Sequence, residues 1–267
     1  MKQYYFLSGI PRAGNTIFSC ILNQNPDIAV TANSLLPEVF HSLEKTRENN
    51  EAYLNYPDKE SYDSVMENIF CSYYSKWDRK YIIDRSSWGT PYNVNILANY
   101  CPNDVKIICL VRDMKEVVES FIDWSNKNPN NFINRSTNNG SIEEKYEFLM
   151  RDGGQLSMSI ASAYNLIVND PEEEHHIVID YNDLISNVNE QVERVYNFLE
   201  IPNYNHNFKK VSQFSSNGMT YNDSILGSNL HKIRSVGISK RNYDVQLPQS
   251  VIDKCQYIND KYLKTLQ

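Results

Sequence analysis

The chain has 267 residues, of which 41% are hydrophobic and 22% charged, with a formal net charge of −7 and five scattered cysteines. That length can bury a substantial core, and the acidic balance argues against broad nucleic-acid or anionic-membrane binding, because those partners select basic surfaces. The odd cysteine count without a C-x-x-C pair excludes a disulfide framework or zinc ribbon, and no apolar run approaches the ~18 residues of a membrane span.

The N-terminus runs directly into YYFLSG without a signal-peptide layout, so a cytoplasmic location is expected. Residues 2–7 read as a short buried strand and 15–24 as a helix ended by Asn25-Pro26. A second strand is expected at 28–31. Helical spacing follows over 34–47 and 61–77, the latter with Val65, Ile69, Phe70 and Tyr73 on one face. Two apolar runs, 81–83 and 105–111, flank a helix predicted over 91–100. Residues 114–125 form the next helix, and the polar, turn-rich stretch 126–141 reads as a loop and a candidate mobile element. A long helix over 142–168 is expected to break near Gly153-Gly154. A strand at 176–180 and a helix at 187–199 follow, then a basic loop over 224–242 and a final helix over 248–264. Apolar runs without alternation, interleaved with helices, predict an α/β fold: one domain over 1–267 with a doubly wound, mainly parallel sheet flanked by helices.

The stretch SGIPRAGNT lies between the first strand and the first helix. Gly9 to Thr16 fills every fixed position of the phosphate-loop pattern G-x-x-x-x-G-K-[ST] except the lysine, which is Asn15. A glycine-rich turn of this kind points backbone N–H groups into a concavity at the positive end of a helix, where phosphate binds. Gly9 and Gly14 let the backbone wrap closely, Thr16 offers a hydroxyl, and Arg12 can grip two oxygens at once. In phosphate-loop kinases the missing lysine and a magnesium ion stabilise the transferred γ-phosphoryl group. Here the positive charge lies three residues earlier, which suits a smaller anion or a less charged transferred group. A second site is expected where the strand ending at Val111 gives Arg112-Asp113, with Ser120 in the following helix: an arginine at the carboxyl end of a parallel strand lies on the ligand-binding edge.

Together, GIPRAGNT and CLVRDMKEVVES resemble the two signature segments of sulfotransferases that use 3′-phosphoadenosine 5′-phosphosulfate (PAPS). The resemblance implies a P-loop-like fold and direct, metal-independent transfer of a sulfuryl group to a hydroxyl acceptor, with adenosine 3′,5′-bisphosphate (PAP) as product. It places Arg12, Ala13, Gly14, Asn15, Thr16 and Ile17 around the 5′-phosphosulfate, and Arg112 and Ser120 on the 3′-phosphate. It also implies a loop late in the chain that closes the nucleotide site. SNLHKIRSVGISKR is the candidate, with Ser228, Arg234 and Lys240 within it.

Sulfuryl transfer needs a general base for the acceptor proton and positive charge at the leaving oxygen. Residues 31–38 carry no carboxylate where the tyrosylprotein members of that family have theirs. Asp84, which ends the strand YIID at the same sheet edge, is the preferred base, with Glu38 and His41 as competitors. Arg85, with Arg12, is the candidate for stabilising the leaving phosphate, and Trp88 could stack on a base or pack in the core. The run EEEHH at 172–176 reads as a solvated turn and not as a metal site. Two rivals stay open: a phosphate-loop kinase or NTPase in which Asp84 holds magnesium, and a nucleotide-binding protein without transferase activity. The acceptor, whether glycan, small alcohol or tyrosine, is not written in these motifs.

Overall fold

The computed structural model describes residues 2–169, 174–233 and 238–263. Five strands, β1 (Gln3–Leu7), β2 (Ile28–Val30), β3 (Tyr81–Arg85), β4 (Ile107–Val111) and β5 (His176–Asp180), form one sheet in the order β2-β3-β1-β4-β5. Every pairing is parallel. Tyr4 to Leu7 and all of β4 are buried. Since successive strand residues point to opposite faces, helices must cover both sides of the sheet, as the unalternating apolar runs predict.

The helices are α1 (Asn15–Leu22), α2 (Leu36–Asn49), α3 (Glu51–Asn55), α4 (Lys59–Tyr73), α5 (Pro91–Tyr100) and α6 (Met114–Lys127) in the first half. The second half adds α7 (Phe132–Thr137), α8 (Ile142–Met150), α9 (Gln155–Tyr164), α10 (Tyr181–Ser186), α11 (Val188–Leu199) and α12 (Gln249–Tyr262). Among the described residues, no helix is long and apolar enough to cross a membrane.

Two local expectations are corrected and a third is met. The stretch 126–141 is not simply a loop, because α7 forms within it: Asn131 caps the helix by accepting from the N–H groups of Ile133 and Asn134, while Asn131 and Asn134 both bond back to Ser125 in the buried interior. The buried face of α4 is Met66 and Phe70, with Val65 and Tyr73 exposed. The long helix does break near the glycine pair, where α8 ends at Met150 and Gly153 takes a φ of +66°.

Two features of register position the site. Ser8 N–H donates to Ile108 and Ile10 N–H to Leu110, so the turn after β1 stays zipped to β4 and is carried toward Arg112. At the start of α6, Asp113 accepts from Glu116 N–H, while Asn259 of α12 accepts from Met114 N–H and donates to Asp113. The N-terminus of the helix bearing Ser120 is therefore capped from within and clamped from across the fold.

Candidate active site

The turn after β1 is built from two left-handed residues, Arg12 at φ +69° and Gly14 at φ +89°. At Gly14 a side chain would be strained by its dihedral and would crowd Leu184 at 3.2 Å. Gly9 is required for a different reason: a Cβ there would lie 2.2 Å from Asn15 Oδ1. Asn15 fills that space because its side chain is turned under the turn, with Nδ2 donating to the Ile10 carbonyl at 2.7 Å. The position that carries lysine in a phosphate loop is here a buried tie. α1 begins without a capping side chain and without an acidic residue in its first turn, so its N-terminal N–H groups are open to an anion. Gly14, Asn15, Thr16 and Ile17 line the adjacent cavity, of about 610 Å³. Ala13 does not: it is buried, and its N–H donates to the Ile10 carbonyl.

Arg112 and Ser120 meet Arg12 at the same wall. Arg112 is 1% exposed, with Nε paired to Glu116 at 3.0 Å, Nη1 donating to the Arg12 carbonyl at 2.8 Å, and the guanidinium stacked 3.8 Å over the Tyr181 ring. Its Nη2 is buried without a partner. Arg12 Nε donates to Ser120 Oγ at 2.8 Å and its Nη1 to the Leu230 carbonyl at 3.2 Å. Burial, then the neighbouring Arg241, pushes the Arg12 pKa down to about 10, which still leaves it charged at neutral pH. Glu116 is pushed up by burial, but its hydrogen bonds to Lys240 and Arg112 outweigh that and hold its carboxyl below the usual range.

The C-terminal loop contributes differently from the sequence expectation. Lys240 is exposed and reaches Glu116 at 2.9 Å, off the cavity wall. Ser228 lines a neighbouring groove instead. Arg234 lies outside the described residues. From this loop Leu226, Leu230, His231, Lys232, Ile233, Ile238, Ser239 and Arg241 line the cavity, as does Tyr243 just beyond the loop. Arg241 adds a further guanidinium to the cavity that Arg12, Arg85 and Arg112 also line. The basic character of the loop was visible in the sequence; which cation turns inward was not.

The preferred base does not reach the cavity. Asp84 is completely buried and accepts from Ser34 Oγ and Trp88 Nε1, each at 2.7 Å, and from the Tyr74 hydroxyl. Burial raises its pKa to about 6, against the three hydrogen bonds. With its oxygens engaged in the core, it cannot take a proton from an acceptor in the cavity. Trp88 is likewise a core residue. Glu38 and His41 are exposed on α2 and absent from the cavity wall, with His41 edge-on to Tyr92. Arg85, one residue beyond Asp84, does line the cavity and donates to the Tyr221 hydroxyl at 2.7 Å. Among the described residues, no group of three or more His, Cys, Asp or Glu side chains could hold a metal ion.

The model of the Sulfotransferase family matches residues 5–206. Comparison with curated protein sequences returns no match. Among solved structures, the sulfotransferase domain from the curacin biosynthetic pathway is 16% identical with a TM-score of 0.61, covering 97% of this chain and 96% of its own. The sulfotransferase domain of the Synechococcus PCC 7002 olefin synthase is 15% identical with a TM-score of 0.54, covering 96% and 94%. Retinol dehydratase in a complex with retinol and PAP is 14% identical with a TM-score of 0.50, covering 99% and 82%. At these identities the likeness is one of fold.

Proposed function

Because the chain belongs to the sulfotransferase family, we propose that it moves a sulfuryl group from PAPS to a hydroxyl-bearing acceptor by direct in-line transfer, leaving PAP. The observation that carries the choice of donor is Arg112: a guanidinium nitrogen buried without a partner, in a cavity shared with Arg12 and Arg241. A buried, unpaired charged donor is costly, and a phosphate oxygen satisfies it. A 3′-phosphate, which ATP lacks, fits that place.

On this reading Arg112, Ser120 and Arg241 hold the 3′-phosphate. The first-turn N–H groups of α1, with Thr16, hold the 5′-phosphosulfate. Arg12 sits between the two anions, its Nε on Ser120 and its backbone in the turn. Arg85 and Arg12 are the cations available to stabilise negative charge on the leaving phosphate. When bound, the donor supplies a sulfuryl group on a phosphate leaving group, so the chain needs no nucleophile of its own. The five free cysteines fit a reducing, cytoplasmic setting.

The kinase reading loses support at two residues. Asn15 points under the turn, and Asp84 is enclosed by Ser34, Tyr74 and Trp88 away from the cavity, so neither offers what a phosphate-loop NTPase asks of those positions. Calorimetry with PAP, AMP and ATP tests the donor directly. PAP should bind at least about tenfold more tightly than AMP, as one charge-assisted pair is worth ~1.5–3 kcal/mol. Equal affinity for the three nucleotides would falsify the assignment.

A further inference from the structure

Transfer to a hydroxyl needs a group that takes its proton, and none of Asp84, Glu38 and His41 reaches the cavity. His231 lines the cavity wall and has no part in the nucleotide contacts assigned above. It follows a short 3₁₀ turn, Asp223–Leu226, and is held by the first residue of that turn through two contacts. The His231 backbone N–H donates to Asp223 Oδ2 at 2.8 Å, and ring Nδ1 lies 2.6 Å from Oδ1. A carboxylate only accepts, so Nδ1 carries the proton and Nε2 keeps the basic lone pair. Nε2 has no partner among the described residues.

The ring is also fixed in space. It lies flat on Tyr221, centroids 3.8 Å apart and planes 7° from parallel, and the Tyr221 hydroxyl is bonded to Arg85. The carbonyl of the preceding residue, Leu230, accepts from Arg12. The imidazole is thus tied to both sheet-edge arginines that flank the place assigned to the phosphosulfate. Among the described residues, Asp223, Arg85, Arg12 and Tyr221 are the ionisable groups that act on it or pack against it. Burial and the two arginines push its pKa below the usual 6.5 against the pull of Asp223, so the ring is neutral at pH 7.

We propose that the His231–Asp223 pair is the general base of this enzyme. Nε2 accepts the acceptor's hydroxyl proton as that oxygen forms its bond to sulfur, while the bond from sulfur to the 5′-phosphate oxygen breaks and the electron pair leaves on the phosphate. Asp223 acts through His231 by fixing its tautomer and stabilising the imidazolium. The proposal rests on the sulfuryl-transfer reading above.

The test uses the full chain and two readouts. With PAP alone as probe, NMR of the histidine rings should report the Nδ1–H tautomer for His231, with signals that move on nucleotide binding, and Asp223→Asn should lower the His231 pKa. His231→Gln should bind PAP within about threefold of the wild-type chain while losing at least ~100-fold in turnover, the usual scale for a general base. Turnover is measured with ³⁵S-labelled PAPS on an alcohol or phenol the wild-type chain sulfates. The acid limb of the wild-type rate profile should fall at the His231 pKa seen by NMR. His231 signals unmoved by bound PAP, or turnover that survives His231→Gln, overturns the pair as base. Failure of the wild-type chain to bind PAP overturns the donor reading instead.

Discussion

The guanidinium of Arg112 lies 3.8 Å above the Tyr181 ring while its Nη1 donates to the Arg12 carbonyl at 2.8 Å. With Nε on Glu116, the group is immobilised on three sides and only Nη2 is left to bind. Arg112→Ala should therefore weaken PAP binding by about 10- to 100-fold, the ~1.5–3 kcal/mol of a charged hydrogen bond. AMP affinity should change far less. Arg112→Lys should not restore binding, because an ammonium cannot both stack and keep the fork. Calorimetry of the two nucleotides on each variant decides the matter.

Arg241 shares the cavity with Arg12 and Arg112, and its charge helps depress the Arg12 pKa. Arg85 lines the same cavity, and an anion bound among these guanidiniums offsets their mutual repulsion. Arg241→Ala should lower PAP affinity by roughly tenfold at low salt, with the loss shrinking as salt screens the site. Affinities measured across a salt series give the slope, and a variant with the wild-type slope would place Arg241 outside the nucleotide's field.

Asn15 ties the turn through Nδ2 to the Ile10 carbonyl, and its oxygen is buried without a partner. Asn15→Asp replaces the donor by an acceptor and sets negative charge beside the anion site. Stability should drop by about 1–3 kcal/mol, and the rise in melting temperature that saturating PAP gives the wild-type chain should largely vanish. Thermal melts with and without PAP measure both effects. Asn15→Lys should not confer ATP hydrolysis, since the position faces the underside of the turn.

Asp84 tests a pH effect. Its folded pKa is raised to about 6 from an ordinary 3.8, so between those values the folded chain keeps a proton that the unfolded chain has released. Stability from this group therefore falls as pH rises through that window, by up to ~1.4 kcal/mol per unit. The penalty is absent below the window and complete above it. Urea denaturation from pH 4 to 7 should show a shallower decline for Asp84→Asn. Asp84→Ala, which strands the Trp88 N–H and two hydroxyls, should cost about 3 kcal/mol. Folded Asp84→Asn should keep its turnover; a large loss would return Asp84 to the chemistry.

The parallel sheet, the turn between β1 and α1 and the helix start after Arg112 were legible because each is carried by contiguous residues: an apolar run, a turn, and a helix start. Asp84 was misread for a reason of parity. Neighbouring strand residues point to opposite faces, so the sequence showed that YIIDR ends at the ligand edge but not that Asp84 turns into the core while Arg85 reaches the cavity. The stretch 126–141 looked like a loop because polar residues usually face water. Two of its asparagines, Asn131 and Asn134, instead bury themselves against Ser125, a pattern composition cannot distinguish. Arg241 and His231 depend on the path of a loop with no periodicity, set by contacts with Arg12, Arg85 and Asp223 that lie far apart in the chain.

Asn259 holds Asp113 and Met114 across 146 and 145 residues. This clamp gives the order of synthesis a role. A ribosome that has translated only as far as residue 240 carries every strand of the sheet and both phosphate motifs, yet the helix bearing Ser120 still lacks its far anchor. A nascent chain at that stage should hold PAP poorly, and nucleotide tightening should arrive only once residue 259 has cleared the exit tunnel.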